Sequence, residues 1–349
     1  MPSDLLQPDD RGLSCSRGGF HIDPWAGVPV AIVTHAHGDH ARPGSGVYYC
    51  AREGESVLRR RLGADVRIVA LEYGERKEFG STVVSLHPAG HVRGSAQVRV
   101  EDATGTWVAA GDYKRNSDPT CSPFEVVPCD VFITETTFAM PIYRWEPTET
   151  VIADLAAWWE RNAIEENVSV VFCYSLGKAH RVLAEVRRHF ERRGTSAPGE
   201  VFVHGGVQPL IDCYRADGVA LPLTTPVIEE EGTRGKRRES FAGQLVVAPP
   251  SAAGTRWMKR FGASNRISTA FVSGWMQIRG IRRRRGYDRG FVLSDHADWP
   301  DLIRTVKETA AKRVLCTHGY TEVMSRYLNE IGLRAETLRT QYGGDEAED

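Results

Sequence analysis

The chain has 349 residues, 41% hydrophobic and 26% charged, the make-up of an ordinary globular protein with room for one large or two medium domains. A formal net charge of −1 does not advertise a polyanionic partner, although a neutral total can hide local basic patches. Seven scattered cysteines without a C-x-x-C pair argue against a disulfide framework or a cysteine zinc site. They suit reduced thiols in a cytoplasmic protein. The acidic start MPSDLLQPDD lacks the apolar run of a signal peptide, and no segment reaches the length of a membrane span, so no membrane partner is expected.

Taken in chain order, residues 20 to 135 alternate short apolar runs with turn signals. Val28–Val33, Val66–Leu71, Thr82–Leu86, Ala96–Val100, Thr106–Ala110 and Asp130–Thr134 read as strands, and Glu53–Leu62 as a helix. The texture changes near Pro147. Thr148 reads as an N-cap, with Ile152, Leu155, Ala156 and Trp159 on one helical face behind it. Strand Val168–Cys173, a helix with Leu183, Val186 and Phe190 inward, and strands Val201–His204 and Gln244–Ala248 then suggest an α/β unit with a parallel sheet. Residues 230–240 read as an exposed charged loop. From about 290 the first texture returns: strand Phe291–Leu293, a helix from Pro300, strand Arg313–Cys316 and a helix from Glu322. The acidic tail 343–349 reads as disordered. The simplest organisation is an outer αβ domain, residues 1–145 and 291–349, interrupted by an insert at 146–290.

The stretch Thr34–His40 reads Thr-His-Ala-His-Gly-Asp-His, directly after the apolar run Val28–Val33. Three histidines and an aspartate within six residues at a strand end suit a metal site for zinc, or for manganese or iron. Two ions need six or seven protein ligands, and this motif supplies only His35, His37, Asp39 and His40. His91, Asp112 and His318 each stand beside a glycine at a strand terminus, where further ligands would come from.

The pattern His-x-His-x-Asp-His at 35–40 resembles that of the metallo-β-lactamase superfamily, with Asp23 where that superfamily has an aspartate supporting the loop. His91 and Asp112 match its later metal motifs. A narrower resemblance is to the β-CASP nucleases, which carry an insert in that fold. Glu135 in Thr-Glu-Thr-Thr-Phe, His296 in Leu-Ser-Asp-His-Ala-Asp and His318 in Thr-His-Gly are similar to their three acidic and histidine motifs. Tyr-Ser-Leu-Gly-Lys-Ala-His at 174–180 and Val-Ser-Gly-Trp at 272–275 resemble stretches of their insert. Within the group the chain looks most like the bacterial ligase-associated DNA exonucleases, relatives of the Artemis-type repair nucleases.

The resemblance implies an αββα sandwich with an inserted β-CASP α/β domain. It also implies a cytoplasmic two-metal phosphodiesterase of DNA repair that attacks single-stranded DNA from a 5′ end, with a DNA ligase as a possible repair partner. In such a site His35, His37 and His91 hold one ion, Asp39, His40 and His318 the second, and Asp112 bridges. Asp39, Glu135 and His296 carry the chemistry, His296 as the general acid for the departing sugar oxygen. Ser175, Gly177 and Lys178 stand between a strand and a helix, where N–H groups attract phosphate. Arg279 and Arg282, near Trp275 and Tyr287, read as backbone contacts to nucleic acid. Three alternatives stay open. A histidine at 318 is of the type that RNA-processing members carry, as in an enzyme like ribonuclease J. A small-molecule ester or thioester hydrolase would keep the histidine motif without needing Glu135, His296 or the insert. A motif loop that is merely histidine-rich surface would need all the later matches to be coincidence.

Overall fold

The computed structural model describes residues 4–227 and 241–340; the charged stretch 230–240 and the tail 343–349 lie outside the described residues. The chain divides into two compact units, Met1–Arg144 with Asp295–Glu348, and Trp145–Ser294.

In the first unit, β1 (Gln7–Pro8), β2 (Leu13–Cys15), β3 (Phe20–Ile22), β4 (Val30–Ile32), β5 (Val47–Ala51) and, after helix α1 (Glu55–Leu62), β6 (Ile68–Leu71) form a sheet in sequence order. β7 (Lys77–Phe79), β8 (Thr82–Pro88), β9 (Ala96–Asp102), β10 (Gly105–Ala109) and β11 (Val131–Glu135) build most of a second sheet. The inward residues of both sheets share one core, with Phe20, Ile22, Ile32 and Leu71 meeting Val84, Leu86, Val98 and Ile133. β11 is buried along its whole length, as a strand covered on both faces must be, and this explains its unbroken apolar run.

The second unit runs α2 (Thr148–Ile164), β12 (Val168–Phe172), α3 (Lys178–Arg193), β13 (Val201–His204), α4 (Gln208–Ala216), β14 (Thr225–Val227), β15 (Leu245–Ala248), β16 (Ile267–Val272), α5 (Arg279–Arg285) and β17 (Arg289–Phe291). Its six strands pair in parallel in the order β14-β13-β15-β12-β16-β17. α2 and α3 cover one face through Leu155, Trp159, Leu183, Val186 and Phe190, and the other face packs against Trp257, Phe261 and Met276. α3 stops at Gly194, which adopts the left-handed conformation (φ 63°) while its N–H and that of Thr195 close the last turn.

The chain then returns to the first unit with α6 (Trp299–Glu308), β18 (Arg313–Thr317), α7 (Thr321–Glu330) and β19 (Arg334–Thr337). β18 adds in parallel beside β11, and α6 and α7 cover the outer face through Leu302, Val306, Met324 and Leu328.

Two expectations need correction. Thr148 does not cap α2: Pro147 holds that position, and the Thr148 hydroxyl accepts instead from buried Arg181 Nη2 at 2.9 Å. The strand expected at Phe291–Leu293 lies at Arg289–Phe291, where it pairs with β16, and Leu293 is buried in the core beyond it. The short strands β1–β3 and β7 carry too few residues to show a period, and β5 mixes tyrosines with a cysteine.

Neither Ser294 nor Asp295 caps α6. Asp298 does so, its Oδ1 accepting from the Asp301 N–H at 3.0 Å. Asp298→Ala is therefore expected to lower stability by about 1 kcal/mol, seen as a lower urea midpoint with an unchanged slope.

Candidate metal centre

β4 delivers a loop on which Thr34, His35, His37, Asp39 and His40 are all buried. Asp23, just after β3, holds it: Oδ1 accepts from the Thr34 N–H at 2.7 Å, and Oδ2 from the Thr34 hydroxyl at 2.5 Å. The same Oδ2 lies 2.7 Å from His40 Nδ1. Thr34 Oγ1 is also 3.1 Å from His35 Nδ1, and the Asp295 carbonyl is 2.8 Å from His91 Nδ1. With Nδ1 engaged, His35, His40 and His91 are left to offer Nε2, whereas His37 offers Nδ1. A partner on the far nitrogen that fixes tautomer and ring orientation is what a ligating imidazole requires.

His37 Nδ1 lies 3.0 Å from His35 Nε2 and 3.1 Å from His91 Nε2. Asp112 Oδ2 is 3.5 Å from His35 Nε2 and 3.9 Å from His91 Nε2. Tetrahedral ligands at the usual zinc distances are separated by about 3.3 Å, so this spacing suits a single ion. Asp112 Oδ2 is also 3.4 Å from His40 Nε2, which is 3.5 Å from Asp39 Oδ2. The His318 ring stacks on His40 at 5.5 Å and 7°, and the ligand atoms of Asp39, His40 and His318 form a second group within 4.8 Å. Asp112 thus faces both groups. Asp39 Oδ1 and Asp112 Oδ1 are buried and accept no hydrogen bond among the described residues, an arrangement that costs free energy unless a cation meets them. On this chemistry the donor set fits divalent ions.

The backbone bends to make these approaches. Asp23 (φ 44°) and His318 (φ 57°) adopt the left-handed conformation that is unusual for a side-chain-bearing residue. Gly111, also left-handed, brings the turn before Asp112 against Thr34: a Cβ there would lie 2.8 Å from the threonine Cβ.

The electrostatics favour neutral imidazoles around an anionic carboxylate. Burial, helped by neighbouring imidazoles, pushes His35 and His91 well below the ordinary imidazole pKa, and burial brings His318 down to about 4. His40 behaves oppositely: burial opposes its charge, but Asp39, Asp112 and Asp23 together carry its pKa well above the ordinary value. Burial would raise the pKa of Asp112, yet His40 holds it well below the carboxylate range.

A third group joins Asp112 to Glu135 and His296. Glu135 ends β11, where the register pairs it with Thr317, next to His318. Its Oε1 accepts from the Tyr113 N–H at 2.8 Å and its Oε2 lies 2.8 Å from His296 Nδ1. Burial raises the Glu135 pKa against the opposing pull of His296. The His296 ring sits 4.6 Å from that of His91 and 5.9 Å from that of Phe138. The structure thus brings Asp23, His35, His37, Asp39, His40, His91, Asp112, Glu135, His296 and His318 together within the first unit. Two supports escape a reading of the sequence. Thr34 stands directly before the motif and engages Asp23. Lys114, two residues after Asp112, buries Nζ 2.6 Å from Asp118 and 3.7 Å from Asp295.

The residues expected to bind substrate all lie in the second unit. Ser175 is half-buried, Gly177 (φ 78°) precedes α3, and Lys178 is only 4% exposed, so its side chain is not offered to bulk solvent. Arg279 is exposed at the start of α5, which also carries Arg282. The aromatic interleaving expected there is corrected: Tyr287 stacks inward on Phe271 at 5.2 Å and 6°, because the apolar ring gains more by covering the sheet than by facing water.

Two sheets sharing a core, helices outside them, and histidine–aspartate clusters on the loops after β4, β8, β10 and β18 make up a metallo-β-lactamase-like α/β fold whose buried clusters can bind metal ions. A protein of unknown function from Enterococcus faecalis shares this fold, with a TM-score of 0.57 at 10% identity over 90% of this chain and 80% of that one. No family model matches the chain. It is 30% identical over 327 residues, 93% of its length, to a protein of Opitutus terrae named a probable DNA ligase. It is 20% identical over 331 residues to the endoribonuclease ysh-1 of Neurospora crassa and 21% identical over 382 residues to the endoribonuclease YSH1 of Mycosarcoma maydis. The chain spans 30%, 39% and 42% of these three relatives, and their names point to nucleic-acid processing. No helix among the described residues is long and apolar enough to cross a membrane.

Proposed function

We propose that this chain is a metal-dependent nuclease of the β-CASP group that hydrolyses DNA phosphodiesters as an exonuclease, from a 5′ end of single-stranded DNA, in cytoplasmic DNA repair. One observation carries the nuclease reading: His296, oriented by Glu135 at 2.8 Å, joins Asp112 in a group beside the histidine clusters. A small-molecule hydrolase with an acidic leaving group has no need of that pair.

In this reading His35, His37 and His91 would hold one ion and Asp39, His40 and His318 the other, with Asp112 available to both; zinc suits the donors, as do manganese and iron. When bound, such a pair supplies Lewis-acid stabilisation of the phosphoryl oxygens and a nucleophile at neutral pH. Asp23 and Thr34 keep His40 and His35 in register. His296 gives a proton to the departing sugar oxygen, and Glu135 holds the imidazole in place and supports its charged form. The second unit, Trp145–Ser294, is read as the inserted domain expected at 146–290 within an outer domain of 1–145 and 291–349; β17, on the sheet of this unit, carries its end past the expected boundary. Ser175, Gly177, Lys178, Arg279 and Arg282 are assigned to the nucleic-acid backbone. The similarity to a protein named a DNA ligase supports DNA as substrate and a ligase as partner.

RNA as substrate is favoured by a specific observation: His318, half-buried, belongs to the second ligand group, as an RNA-processing relative would have it. End-labelled DNA and RNA, each with a 5′-phosphate or 5′-hydroxyl and assayed with zinc and with manganese, separate the two. Faster stepwise loss of nucleotides from 5′-ended DNA is the expected result; internal cuts in RNA alone would assign the chain to the ribonuclease class.

A further inference from the structure

α1 ends in Arg59, Arg60 and Arg61, and the simplest account of such a run is a solvated helix end whose charge complements the macrodipole. Arg59 fits that account: Nη2 reaches Glu55 at 3.0 Å and Nη1 the carbonyls of Ala64 and Val66. Arg61 does not. Its guanidinium folds over the motif loop, where a Cβ added to Gly38 would lie 2.1 Å from one terminal nitrogen and 3.2 Å from Cζ. The side chain is exposed, and Asp39 lies near enough to attract its charge. Among the described residues it makes no hydrogen bond and no ion pair. Glycine at 38, between the His37 and Asp39 ligands, is what lets a cation come so close to the two clusters.

A guanidinium with five unused donors, held beside a centre that would act on phosphodiesters, is chemically matched to a phosphate oxygen. We propose that Arg61 binds a non-scissile phosphate of the nucleic-acid strand and so positions the neighbouring phosphodiester over the metal centre. This rests on the nuclease reading and adds to it a backbone-binding position in the first unit. The residue is a specificity-neutral anchor, because phosphate contacts fix register and carry no base information.

The test compares Arg61→Gln and Arg61→Lys with the parent protein on one oligonucleotide across a salt series. Arg61→Gln should raise KM about tenfold, the loss expected for one charged hydrogen-bonding contact. It should leave kcat within about twofold and make the log–log salt slope shallower by about 0.7–0.9, one counterion fewer. Arg61→Lys should restore the slope and part of the KM. Metal content and Tm should match the parent in both variants. An unchanged KM and slope in Arg61→Gln would show a solvated helix end. A fall in kcat with loss of metal would show a brace for the loop. Either result overturns the proposal while the parent still cleaves. A parent that cleaves neither DNA nor RNA overturns the nuclease reading itself and this proposal with it.

Discussion

His37→Ala is expected to abolish nucleic-acid hydrolysis, by more than about 10³-fold, while circular dichroism and the urea midpoint stay close to the parent's. A single electrostatic donor removed from an active site typically costs about 10²–10³, and His37 contributes more than one donor's share. Its Nδ1 lies 3.0 and 3.1 Å from the two other imidazole nitrogens of its group, so it closes the donor set on that side. The ring sits on a loop between strands and fills no part of the core clusters, so alanine leaves the sheets intact. Elemental analysis should find two ions per parent chain and fewer in the variant. Occupancy should rise with pH. In the metal-free chain Asp39, Asp112 and Asp23 overcome burial to keep a proton on His40 above the usual imidazole range, and an ion must displace that proton. A parent that is fully active with one ion or none would rule out the two-ion reading.

His296→Ala is expected to slow hydrolysis of ordinary DNA by about 10²–10⁴, the range typical of a lost general acid. The sugar oxygen is a poor leaving group and needs the proton. The loss should shrink to less than about tenfold on a nitrophenyl phosphodiester, whose leaving group departs without protonation. The contrast between substrates is the informative quantity, because damage to the centre would depress both alike. Glu135→Gln should show the same contrast more mildly. Its Oε1 would still accept from the Tyr113 N–H, but the charge that supports a cationic His296 would be gone. Equal losses on both substrates, or a lost ion, would make His296 a ligand or a structural residue.

The candidate ligand residues were legible because their spacing is local. Four of them fall within six residues, and the others end strands whose apolar runs stand out, such as β11 and β18. Less legible was what holds them. Thr34 and Lys114 engage partners far from them in sequence or beyond any spacing rule: Thr34 reaches Asp23 across a parallel strand pair, and Lys114 faces Asp295 from the far side of the second unit's sequence. Arg61 is one of three consecutive arginines, and its approach to Gly38 sets it apart. The arginine–aromatic stretch misled for the opposite reason. Proximity in sequence suggested a shared surface, whereas Tyr287, half-buried, packs against the core. Short strands such as β2, β3 and β7, three residues each, are defined by their neighbours and offer no period of their own.

β11 and β18 pair over five residues although 182 positions separate the two members of each matched pair, Thr317 lying opposite Glu135 with His318 next in line. On the ribosome the order of events follows from this. The loop with His35 to His40 can form as soon as the first sheet has left the exit tunnel, yet the strand that precedes His318 is made only after the whole second unit. Closing so long a loop is slow, and its entropic cost falls due before the pairing repays it. The candidate site therefore stays incomplete until the second unit has been synthesised, and the activity proposed for it is withheld until β18 has paired with β11.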